Sequence, residues 1–189
     1  MSSTATIALI IIIVFIGTVI AFLYNQFVAL RQRVHNAWAQ IDVELKRRYN
    51  LVPNLVETVK AYASHERETL ENVTKARTNA LAADDINEQA GAENMLASTL
   101  KTLFAVAENY PDLKADENFR KLQQELINTE SKISFARQFY NDTVQKYNTK
   151  IEMFPHNLLA GLFQFQSAQY FNISEDSGAR QVVNVNLDR

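Results

Sequence analysis

Three histidines, His35, His65 and His156, are the side chains best suited to chemistry near neutral pH, as metal ligands or proton carriers. They lie far apart along the chain, and "HERET" at His65 lacks the second histidine that a zinc-protease helix places one turn on. There is no cysteine, which excludes disulfides, thiolate metal sites, thiol nucleophiles and a lipidated cysteine, and leaves the redox compartment open. The four glycines are scattered singly, so no glycine-rich loop can cradle a phosphate, and no nucleophile elbow is present. The expectation is no catalytic residue, no cofactor and no metal. Three glycosylation sequons, at Asn72, Asn141 and Asn172, read as coincidental on helices that are buried or cytoplasmic.

Charges on apolar stripes carry more information. Glu130 lies between Leu126 and Ile133, and Arg137 between Ile133 and Tyr140, so at seven residues' separation the two share a helix face. Arg47 or Arg48, and Arg77, hold comparable places earlier in the chain. A buried Arg–Glu pair across helices would fix register. A pair snorkelling at the edge of the seam is the other reading, and both stand open. Lys46-Arg47-Arg48 sits about 35 Å beyond the end of an apolar N-terminal stretch if the helix is continuous. Charge is screened within ~8 Å, so an interhelical or subunit pair is expected there and not lipid binding.

The elements that position these residues start with that apolar stretch. "IALIIIIVFIGTVIAFL", Ile7 to Leu23, carries no charge. With one flanking residue at each end it reaches about 28 Å as a helix, close to the thickness of a bilayer core. "MSSTATIA" has no basic n-region and "AFLYNQF" no small-x-small site, so an uncleaved anchor is expected, through Ile7, Ile10, Ile13, Val14, Gly17, Ala21 and Leu23. No Lys or Arg precedes the span, whereas Arg31, Arg33 and Lys46 to Arg48 follow it. The positive-inside rule then places the N-terminus outside and the C-terminal part in the cytoplasm. Gly17-x-x-x-Ala21 would let two such spans approach closely.

Beyond Tyr24 a helical stripe of Val34, Trp38, Ile41, Leu45, Tyr49, Val52, Val56, Val59 and Ala63 keeps its phase through Pro53. That predicts one bent helix, or two stacked end to end with Asn50 as a cap, running to about Leu81. "AADDINEQAG" breaks the period. A shorter helix over 87–109 buries Met95, Leu96, Leu100, Leu103, Phe104 and Ala107. After a second break at Pro111, a helix capped by Asp116 runs to Phe154. Four of the seven tyrosines precede an asparagine, including Tyr140 and Tyr147 one heptad apart, which suggests buried rings with amides bonding a neighbour. "LLAGLFQFQSAQYF", with Phe163 and Phe165, closes the bundle end or docks against another subunit or the membrane.

Two segments look familiar. "FVALRQRVHNAWAQIDVELKRRYNLVPNLVETVKAYASHERETLENVTKAR" and "YPDLKADENFRKLQQELINTESKISFARQFYNDTVQKYNTKIEMFP" resemble the LemA family over most of residues 24–155. The resemblance implies a single-pass bacterial membrane protein with a cytoplasmic helical bundle and no established enzymatic activity. It also implies a neighbourhood of membrane metalloproteases and TPM-domain proteins, hence a sensor or adaptor role as an alternative. The ending "GARQVVNVNLDR" lacks the proline-rich tail common in the family.

The expected fold is all-α: a transmembrane helix (1–24) continuing into an antiparallel bundle of three long helices and a short C-terminal one (25–163), then a short apolar segment and extended tail (164–189). Net charge is −2, which offers nothing to nucleic acid. The expected partners are the lipid bilayer and further copies of the chain. The motive for self-association is that Trp38 and Ile41 lie near the membrane, where the short middle helix does not reach to cover them.

Overall fold

The computed structural model describes residues 3–171. They form six helices in chain order: α1 (Ser3–Tyr62), α2 (Arg67–Ala82), α3 (Ile86–Ala107), α4 (Pro111–Ala115), α5 (Glu117–Glu152) and α6 (His156–Leu162). No strand occurs among the described residues. The expected tail and the Asn172 sequon lie outside them.

α1 is one helix of 60 residues with Pro53 inside it, so Asn50 starts no second helix. It stops at Ala63, ten residues past the proline. The first long helix therefore ends well before Leu81, and Arg67 to Ala82 form a separate helix. The apolar period continues through this break because Ala63, Leu70 and Val73 all remain buried. Periodicity reports a shared core and does not register a tight turn between helices. Asp85 caps α3, its carboxylate accepting from the backbone N–H of Asn87 (2.7 Å) and Glu88 (2.9 Å). Asp116 caps α5 as expected, accepting from the Phe119 N–H at 2.8 Å. This bond is the main reason its carboxyl titrates below the usual range. The α3 stripe is Ala90, Glu93, Leu96, Leu100, Leu103 and Ala107, while Met95 is exposed.

The chain divides into two compact units. The first combines α1 up to Leu45 with Glu130–Tyr170. Here α1 and α5 run antiparallel: Phe27 meets His156 at the start of α6, Trp38 meets Tyr140, and Glu44 approaches Lys132. Phe27, Val34, Ala37, Ile41 and Leu45 are buried, as are Ile133, Tyr140, Val144 and Tyr147. After α6 the chain turns through Gln164 at φ 56°, a left-handed cap in which the Phe165 N–H bonds the Ala160 carbonyl at 2.9 Å. The segment that follows is tied to α5. The Asn148 amide both donates to the Ala168 carbonyl (2.9 Å) and accepts from its N–H (2.8 Å), and the Tyr140 hydroxyl donates to Gln169 O at 2.8 Å.

The second unit spans Lys46–Thr129 together with Phe171. Val52, Leu55 and Val59 from α1 share its core with Leu70, Val73 and Ala76 from α2, Leu96 and Leu103 from α3, and Phe119 and Leu126 from α5.

Candidate functional site

A polar cluster lies inside the second unit. Arg48 and Glu93 form an ion pair at 2.7 Å, with side chains 3% and 1% exposed. The other Glu93 oxygen accepts from the Tyr49 hydroxyl and, at 3.1 Å, from the Gln89 amide. That amide also reaches the Tyr49 hydroxyl (2.8 Å) and the Ala80 carbonyl at the end of α2 (3.2 Å). Burial, and then the Glu93 carboxylate that its hydroxyl bonds, push the Tyr49 phenol well above its usual range. The cluster joins α1, α2 and α3. Arg48, Tyr49 and Glu93 are buried and Gln89 is half-buried, and their hydrogen bonds hold the three helices in one register.

Pro53 belongs to the same cluster. A proline inside a helix has no N–H for the carbonyl four residues back. That carbonyl belongs to Tyr49, and the Arg77 Nε donates to it at 2.7 Å. α2 thus supplies the donor that the proline removes, which explains how α1 passes through residue 53 without ending.

Of the residues singled out in the sequence, Arg48 is the buried cation and Arg47 forms an exposed pair with Glu125 at 2.6 Å. Both pairs are interhelical. Glu130 is exposed and Arg137 half-buried, so neither is a fully buried charge of the seam. The buried positions of α5 pass through Thr129, Ile133 and Tyr140, and Glu130 is a step off that line. Tyr140 and Tyr147 are buried, as the Tyr-Asn pattern suggested, and Asn148 bonds the returning chain. Glu93 and Gln89 escaped the sequence reading. The signal was a Glu at a stripe position, three residues before Leu96.

The case for Trp38 and Ile41 as an uncovered stripe is corrected. Ile41 is fully buried and Trp38 is half-buried, its ring edge-on to Tyr140 at 5.5 Å. α6 and its flank meet α1 at Phe27 and Tyr24. Phe163 packs on Tyr24 (5.0 Å), and Phe165 stacks on Phe27 (4.9 Å) beneath Arg31.

Exposed apolar features remain in the first unit. Ile7, Ile10, Ile13, Val14 and Phe22 on α1 are exposed, and Gly17 has open space where a side chain would be. Ala21 is exposed and Leu23 half-buried. No part of this apolar stretch is buried in the chain, and its length and composition suit a membrane span. Further along, Val43, Phe135 and Phe139 stand exposed around a shallow groove floored by Ala39 and Ala136, with Glu44 and Lys132 at its rim. Among the described residues no group of His, Asp and Glu is placed to hold a metal ion.

Comparison with known proteins points the same way. The model of the LemA family matches residues 37–187. Magnetosome protein MamQ 2 of Paramagnetospirillum magneticum is 25% identical over 186 residues, covering 85% of this chain and 68% of the relative. Protein LemA of Metamycoplasma hominis is 26% identical over 153 residues, covering 80% of this chain and 69% of the relative. These likenesses and the apolar helix together suggest a membrane-associated protein.

Proposed function

Starting from a chain that belongs to the LemA family, we propose that it is a single-pass membrane protein whose helical part lies in the cytoplasm, catalyses nothing, and mediates protein interaction, chiefly assembly with its own copies. The supporting observation is the distance between the apolar span and the exposed groove of Val43, Phe135 and Phe139. Val43 lies 20 residues past Leu23 on the same helix, up to about 30 Å along its axis. Lipid covers the span but does not reach Val43, Phe135 and Phe139, so a protein surface must cover that groove if it is to leave water. Copies anchored in one bilayer hold their grooves at one height and at raised effective concentration. Glu44 and Lys132 at its rim offer each copy both signs of charge.

The absence of cysteine makes the test direct. Full-length chain carrying Phe135→Cys, in native membranes under mild oxidation, is expected to form a disulfide-linked dimer, whereas Gln124→Cys does not. Equal cross-linking at both positions, or none at either, speaks against the groove as the meeting face. The alternative, an adaptor for a membrane protease or quality-control system, predicts instead that a distinct membrane protein copurifies and is lost with Phe135→Glu.

A further inference from the structure

We infer that the exposed face of α6 seats in the headgroup layer of the bilayer, giving the first unit a second membrane contact beside the span. The inference rests on the anchor reading above. α6 is short, yet its Leu158 and Leu162 are 65% and 70% exposed, and Phe154 just before it is 78% exposed. Leu158 and Leu162, four residues apart on α6, lie on one side of that helix, and Phe154 stands two residues before its start. Ala160 is buried and half-buried His156 lies edge-on to Phe27 at 5.8 Å, so the opposite side faces the chain.

Depth identifies what covers the free side. The hydrocarbon core is about 30 Å thick and the bilayer with its headgroups about 40–45 Å, leaving roughly 5–7 Å of interface on each side. Phe163 packs on Tyr24, the residue directly after the span. His156 and Phe165 pack on Phe27, four residues past Leu23, or about 6 Å along α1. α6 and its flanks are therefore held at headgroup depth. The composition agrees: from Met153 to Phe171 the chain carries no charged residue. With no charge to be stranded in the interface, its aromatic and aliphatic side chains can enter the headgroup layer, and left in water they would mark an uncovered face. Arg31 stands about 12 Å past Leu23, but its guanidinium lies 5.4 Å from the Phe165 ring, which stacks on Phe27, and so reaches back toward headgroup depth.

The test uses the full chain in vesicles of zwitterionic and anionic phospholipid. Single cysteines at Ile13, Ser134, Leu158 and Leu162 carry an environment-sensitive fluorophore. The vesicles hold a quencher either on shallow acyl carbons or near the chain ends. The inference predicts quenching at Leu158 and Leu162 by the shallow quencher only, at Ile13 by the deep one, and at Ser134 by neither. A label at Phe154→Cys should lose its shallow quenching several-fold when Leu158 and Leu162 are both changed to Ser, which tests the face without relying on one labelled site. Quenching at Ile13, with Leu158 and Leu162 open to aqueous iodide, overturns the inference and leaves the anchor standing. Shielding of Leu158 and Leu162 from both lipid and iodide assigns the face to a second copy and also overturns it. No quenching at Ile13 removes the anchor and the inference together.

Discussion

The carbonyl of Tyr49 and its donor, Arg77, set the first expectation at the scale of single residues. Removing one partner of a buried hydrogen bond leaves the other unsatisfied, at a cost of about 1–3 kcal/mol. Arg77→Met should destabilise the full chain in detergent by that amount. Pro53→Ala restores an N–H to the same carbonyl, so in the Arg77→Met background it should recover part of the loss. A double-mutant cycle of urea unfolding measures this, and strict additivity would contradict the assignment. Glu93 makes a stronger case. Glu93→Ala leaves Arg48 charged and buried, and should cost about 3–5 kcal/mol. Replacing both with Leu should cost less than either single change. Tyr49 adds a pH dependence. Its folded phenol binds its proton more tightly than the unfolded one, so its contribution is full below about pH 10, where the unfolded phenol titrates, and is lost as pH rises toward the folded value. Tyr49→Phe should flatten the alkaline decline in stability measured by urea unfolding. Arg48 was legible in the sequence because a basic run at the edge of an apolar stripe needs an explanation. Its partner was not, because Glu93 lies 45 residues away and a lone carboxylate on a stripe looks locally like a boundary residue.

The six helices were legible to differing degrees. The long period of α1 and the caps of α3 and α5 follow from local chemistry, and Asp116 was visible as a cap. The stop at Ala63 was not, since Ala63-Ser64-His65-Glu66 contains neither Gly nor Pro. Nor was the course of 164–170, which is set by Asn148 and Tyr140 and not by its own propensity. Asn148 makes both its bonds to the backbone of one residue, Ala168, so Asn148→Ala should release that segment. Amide exchange at Phe165 to Tyr170 should quicken while exchange in α2 and α3 stays unchanged. Equal protection in the variant would mean that aromatic packing on Tyr24 and Phe27 holds the segment alone.

At the scale of the whole molecule, the account joins a membrane anchor to an interacting helical part. The proposed orientation, N-terminus outside, rests on where Lys and Arg stand relative to Ile7–Leu23. A reporter active only outside the membrane, fused after residue 189, is expected to be silent, and one active only in the cytoplasm to be bright. Self-association no longer draws on Trp38 and Ile41, which the chain covers itself. It draws on the groove of Val43, Phe135 and Phe139 and on the Gly17–Ala21 face. The most direct measurement is the protein mass of the particle extracted from native membranes in mild detergent, by native mass spectrometry. The account predicts a small integer multiple of 21.5 kDa, reduced toward one chain by Phe135→Glu. A particle of one chain alone, unchanged by that substitution and with no cross-linking before extraction, would contradict it.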